Sequence, residues 1–244
     1  MTTSNPATTD LRTGRSRRRL LIAVATTFLA GFTARALLFP ATDRLAPVAE
    51  PFRTAETAGA AAAPNTGLLP VHGPFGMPAG FARDGAGART AAAQYVLASS
   101  ILFELTDEDV PTAMSFISAG ATAVSQTQEA LRQVMALRTA IDNRGGTARF
   151  WQAVLGTRLE SLSVDGAVVM VWSVGVLTSV GVIDPQSSWS TNVVQLVWER
   201  GDWKLLDQAV TPGPTPIADR SAPPTLGAPF EHAIAGFLPW WAQS

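Results

Sequence analysis

Hydrophobic residues in this chain change their spacing at Asn143-Arg144-Gly145-Gly146, from every third or fourth position before it to every second position after it. Three-and-four spacing marks a helix with one face on a core, and alternation marks a strand with one face on a core. Strands joined only by turns close as an antiparallel meander, so helices followed by such strands confine the folded part to the α+β class. The expected arrangement is cone-like: about three helices packed on a curved four-stranded antiparallel sheet.

Ahead of the switch, Asp84-Gly85 precedes an Ala-rich segment in which Ala91, Tyr95, Ala98, Leu102 and Leu105 form one stripe. Ile101 and Phe103 add apolar surface beside it, as expected of a helix cradled by a sheet. A second, short helix is predicted to start within 106–111. A third spans about 121–142, with Ala130, Val134, Leu137 and Ile141 on one face and a helix-ending Gly pair behind it. After the switch, 150–163, 167–180, 189–199 and 203–210 read as strands. Asp165-Gly166, Asp184-Pro185 and Arg200-Gly201-Asp202 form the turns between them. Val168, Met170, Trp172, Val174 and Val176 share one face of the second strand, and Val194, Leu196 and Trp198 one face of the third. The opposite face is weakened by Ser173, Gly175 and Gln195, and Gly175 is the expected site of a bend.

The N-terminal region has a different pattern. Residues 20–39 are predominantly apolar and are closed by Pro40; at about 1.5 Å per residue, a helix of that length matches the roughly 30 Å hydrocarbon core of a bilayer. Arg12, Arg15, Arg17, Arg18 and Arg19 precede it against a single acid, Asp10, which predicts a cytoplasmic N-terminus. The expectation is a single-pass cell-membrane protein: a basic tail over 1–19, a transmembrane helix over 20–39 and an extracytoplasmic remainder. A cleaved secretory signal competes with this reading, because the apolar stretch is uninterrupted only up to Arg35, although an Arg near a helix end can snorkel to the interface. The chain holds 18 basic and 19 acidic residues, so setting aside the five arginines and Asp10 leaves the remainder net acidic. Nucleic acid is therefore not an expected direct partner.

Seven prolines and the Ala58–Ala63 run make 40–80 an expected linker, with 81–210 the folded domain. Residues 211–244 form a Pro-rich extension ending in Phe230, Ile234, Phe237, Leu238, Trp240 and Trp241, read first as a final helix docking on the domain. Trp240 and Trp241 otherwise offer an anchor for a partner or a membrane interface.

Chemistry-bearing residues are few. The chain has no cysteine, which excludes disulfides and thiol catalysis. Its histidines, His72 and His232, lie outside the predicted helices and strands, and Tyr95 is its only tyrosine, so no acid-base pair is in view. Glu104, Asp107, Glu108 and Asp109 suggest helix capping more than a cation site. No catalytic residue, cofactor or metal is expected. The candidate interaction residues are Trp172, Trp198, Trp203, Trp240 and Trp241, and the cone interior near Trp172 and Trp198 is a possible apolar pocket.

The segment from Trp189 to Trp198 followed by Glu-Arg-Gly-Asp-Trp203-Lys-Leu-Leu resembles the closing hairpin of nuclear-transport-factor-2-like domains, in which a strand ending in Trp meets a Gly-Asp-Trp turn and returns. With the apolar run, the linker and Met77-Pro-Ala-Gly-Phe-Ala-Arg at the domain entrance, the plan resembles actinobacterial membrane-anchored proteins of conjugation and type IV secretion systems. That resemblance implies a non-enzymatic scaffold whose partners are the membrane, other subunits of a secretion or conjugation complex, and copies of itself. Mammalian-cell-entry-associated lipid-transport accessory proteins share the plan. They imply instead a lipid-transport role, and a small apolar ligand-binding module of the same fold is the further alternative.

Overall fold

Asp84 opens the helical part: its carboxylate accepts a hydrogen bond from Gly87 N at 2.7 Å, giving a free first-turn amide its partner. The computed structural model describes residues 71–142, 145–180, 183–216 and 224–240. Its helices are α1 (Gly85–Glu104), α2 (Val110–Ile117), α3 (Ala123–Asp142) and α4 (Ala228–Ile234). Two short strands, β1 (Val71–His72) and β2 (Pro78–Ala79), pair ahead of α1. The long strands β3 (Ala148–Leu162), β4 (Gly166–Ser179), β5 (Ile183–Glu199) and β6 (Asp202–Pro212) follow α3, and β7 (Leu238–Pro239) comes last. The main sheet is antiparallel throughout, in the order β6-β5-β4-β3-β7.

The small side chains of α1 let it lie close to the sheet. Ala88, Ala91, Ala92, Tyr95, Val96 and Leu102 are buried in one cluster with Val154, Val169, Val171, Val194 and Leu196. A second cluster, Phe103, Leu137, Ile141, Phe150 and Leu177, closes the other end. Helix α3 packs mainly on α2 and meets the sheet chiefly at β3, which leaves a gap above β5 and β6. Curvature comes from bulges at Val154/Gly156, Leu159/Ser161, Leu177/Ser179 and Gln195/Leu196, each of which adds local twist. At Gly175, which permits a bend, the ladder runs unbroken, opposite Gln152 and Ser188.

The structure corrects the expected fold in three respects. Among the described residues there are four α-helices and five strands in the main sheet, not about three and four. The additions come from the C-terminal extension: α4 sets Phe230 edge-on to Trp172, and β7 pairs Leu238 and Pro239 with Thr157 and Gly156 of β3. Arg158 secures that return, donating to Ala235 O at 2.8 Å and lying 5.0 Å from the Phe237 ring.

The second correction concerns the membrane. Among the described residues no helix is long and apolar enough to cross a bilayer. Helices α1 and α3 each have 20 residues, but α1 contains Arg89 and Glu104, and α3 contains Glu129, Arg132, Arg138 and Asp142. The expected span at 20–39 and its flanking Arg15, Arg17, Arg18 and Arg19 lie outside the described residues. Single-pass membrane placement therefore has no helix to carry it in the described fold.

Third, the sheet faces are divided differently. The face of β4 turned to the helices carries Ala167, Val169, Val171, Ser173, Leu177 and Ser179, all buried, together with Val194 and Leu196 of β5. Val168, Met170, Trp172, Val174 and Val176, the more uniformly apolar set, are half-buried on the outer face. The folded region also reaches back into the segment expected as linker: Met77 is fully buried in the core.

A cleft between the helices and the sheet

The inward polar residues of the sheet form one connected line. Gln152 Nε2 donates to Ser173 Oγ at 3.1 Å, Asn192 Nδ2 donates to the same oxygen at 2.9 Å and to Val171 O at 3.2 Å, and Gln208 Nε2 donates to Asn192 Oδ1 at 3.0 Å. Ser173 and Ser190 hydroxyls lie 3.3 Å apart. Buried amides and hydroxyls are tolerated in a core when they satisfy one another, and this line does so across β3, β4, β5 and β6.

Above the line, where α3 stands off the sheet, an open-mouthed cleft extends between α1, α3, β3, β5 and β6. Leu102, Ala130, Val134, Phe150 and Val210 form its apolar walls. Ser99, Gln133, Gln152, Ser190, Asn192 and Gln208 supply the polar groups. A second lobe meets the first at Ser99, Leu102 and Gln208 and runs toward Tyr95, Met114, Ile117, Ser125, Gln126, Glu129, Leu205 and Asp207.

Gln133 stands apart from the satisfied line. Its Nε2 donates to Glu129 Oε1 one helical turn earlier, which fixes the amide and turns its oxygen away from that carboxylate. The residue is 6% exposed, and among the described residues its Oε1 has no hydrogen-bond partner. An unpaired buried acceptor costs about 1–3 kcal/mol, so the arrangement calls for a donor.

Tyr95 is committed elsewhere: its hydroxyl donates to Trp203 O, and burial, with the charge of Asp202 added, pushes the phenol well above its ordinary range. It is not a proton carrier at neutral pH. His72 and His232 are exposed, away from the cleft lining. Of the acidic run, Glu104 pairs with Arg149 at 2.9 Å, Asp107 with Arg138 at 2.6 Å, and Asp109 accepts from Thr106 Oγ1 at 2.6 Å. Glu104 and Asp107 thus tie the end of α1 and the turn after it to β3 and α3, while the Asp109 bond is local.

The tryptophans singled out by sequence are not brought together in the cone. Trp203 is 1% exposed in the core and donates Nε1 to Ala82 O at 2.8 Å; Trp198 lies edge-on to it at 5.3 Å, with Arg83 over the Trp198 ring. Trp172 faces outward, against Trp189 and Phe230, and donates Nε1 to Pro214 O at 3.1 Å. Trp240 packs partly buried against the core, and Trp241 lies outside the described residues. The cleft is lined by none of them. Sequence reasoning missed Gln133, Gln152, Asn192 and Gln208; the signal was present in Ser173 and Asn192, polar residues interrupting strands otherwise rich in Val.

A family model described as a domain of unknown function (DUF8175) matches residues 41–222. The chain belongs to this family. The match covers α1–α3 and strands β1–β6, so every residue lining the cleft lies within the DUF8175 domain. No curated protein matches the chain. Among solved structures, the intermembrane space region of the chloroplast protein ARC6 is similar at a TM-score of 0.37 and 14% identity, covering 53% of this chain and 98% of that one. A likeness that slight carries no argument about fold or function. Among the described residues no helix is long and apolar enough to cross a membrane, so the expected single-pass membrane placement is corrected.

Proposed function

We propose that the DUF8175 domain of this chain is a non-enzymatic binding module that holds a small amphipathic molecule in the cleft between α3 and the sheet. Leu102, Val134, Phe150 and Val210 provide an apolar bed, and convergent polar groups at one wall orient the guest, the usual composition of a small-molecule site. The observation that carries this reading is Gln133 Oε1, a buried acceptor left without a partner at an otherwise satisfied polar wall. Catalysis is not part of the proposal, since the only tyrosine is locked onto a backbone carbonyl and neither histidine lines the cleft.

The test uses Nile red, a neutral apolar dye, with the full 244-residue chain. Its fluorescence rises on binding to the wild-type protein, and Ser99→Phe, which fills the point where the lobes meet, removes the rise while leaving the circular dichroism spectrum unchanged. Equal enhancement by both proteins would show that the dye sits elsewhere and would remove the support for a cleft ligand.

A further inference from the structure

The charge and hydrogen-bonding groups around the cleft restrict which head group an occupant can carry, an inference that rests on the cleft being a binding site. Gln133 presents a buried acceptor, Oε1, while its Nε2 donates to Glu129. The only charged residues lining either lobe are Glu129 and Asp207, both acids. Glu129 is held from outside by Arg132; Asp207 is exposed at the rim with no basic partner among the described residues. Nearby cations are occupied: Arg138 pairs with Asp107 and Arg149 with Glu104, and neither lines the cleft.

At Gln133 Oε1 a carboxylate or phosphate meets an acceptor rather than a donor, and the charged groups lining the adjoining lobe are acids. Both the unsatisfied acceptor and the like charge oppose it. A primary amide or an ammonium meets Gln133 Oε1 with an N–H and lies in a field of favourable sign. We propose that the cleft selects an apolar chain bearing a hydrogen-bond-donating head, a primary amide or amine, and discriminates against the corresponding carboxylate.

Three eight-carbon probes of matched length, octanamide, octylamine and octanoate, separate the possibilities by isothermal titration calorimetry of the full chain at pH 7. Octanamide and octylamine are expected to bind at least tenfold more tightly than octanoate. Gln133→Leu is expected to abolish that preference for the amide. Asp207→Lys, at the exposed rim, is expected to strengthen octanoate and weaken octylamine severalfold while leaving the circular dichroism spectrum unchanged. Octanoate binding as tightly as octanamide overturns the head-group selectivity while leaving the cleft a ligand site. Failure of all three to bind overturns the binding-module reading and the selectivity with it.

Discussion

Lys204 Nζ lies 3.3 Å from Asp202 Oδ2, with both side chains nearly withdrawn from solvent at 7% and 9% exposure. The pair ties three segments together. Asp202 also accepts from Gly80 N at 3.2 Å and Phe81 N at 3.0 Å, and Lys204 donates to Phe116 O at 3.0 Å at the end of α2. The Arg200-Gly201 turn, with φ of 57° and 77°, delivers Asp202 to this position as the first residue of β6. Breaking a buried pair strands the surviving charge, at about 3–5 kcal/mol, whereas removing both charges together costs less. Asp202→Leu alone is therefore expected to lower the stability read from urea denaturation by about that amount. The Asp202→Leu/Lys204→Met double variant should lose less than either single change.

Tyr95 gives the protein an alkaline limit. Burial raises its folded-state pKa above that of the unfolded chain, so its contribution is intact below about pH 10 and is lost as pH climbs further, at up to about 1.4 kcal/mol per pH unit. As the only tyrosine, it alone produces phenolate absorbance near 295 nm. Absorbance and circular dichroism should therefore change together on raising pH. Tyr95→Phe, less stable at neutral pH through loss of the bond to Trp203 O, should decline less steeply between pH 10 and 11.5.

How much of this was readable from sequence differs by element. The stripe Ala91, Tyr95, Ala98, Leu102 is buried on α1, as are Ala130, Val134, Leu137 and Ile141 on α3, because helical spacing records which side meets a core. Strand faces were harder: β4 is apolar on both sides, one covered by helices and the other partly by the C-terminal return, and the cleft places Ser173 and Asn192 on the inward side. Alternation cannot rank two apolar faces. Strand β7 has two residues and carries no period at all. Asp202 reads as turn chemistry until the fold brings Gly80 and Phe81 to its carboxylate.

Gly87 sets how closely α1 follows the entry segment. A Cβ there would sit 1.9 Å from Ala82 O, a backbone atom that cannot swing aside. Gly87→Ala is expected to cost about 1–3 kcal/mol despite the better helix propensity of alanine, whereas Asp84→Ala, which removes only the cap, should cost about 1 kcal/mol. Thermal melts of the two variants, compared with wild type, check the ranking.

The C-terminal return depends on Arg158. Its bond to Ala235 O and its contact with Phe237 hold the segment ahead of the short β7 ladder on β3. In Arg158→Ala, amide exchange followed by mass spectrometry should accelerate over 235–239 while α1 keeps its protection. Unchanged exchange in that segment would mean that the ladder suffices.

Occupation of the inner cleft rather than the outer sheet face is read by chemical-shift mapping of the full isotopically labelled chain with octanamide. The side-chain amides of Gln133 and Gln208 and the backbone amides of Ser99 and Leu102 are expected to move together and saturably, while the Trp151 and Trp172 indoles stay in place. Shifts concentrated at Trp151, Val174 and Val176, with the cleft amides unmoved, would contradict it.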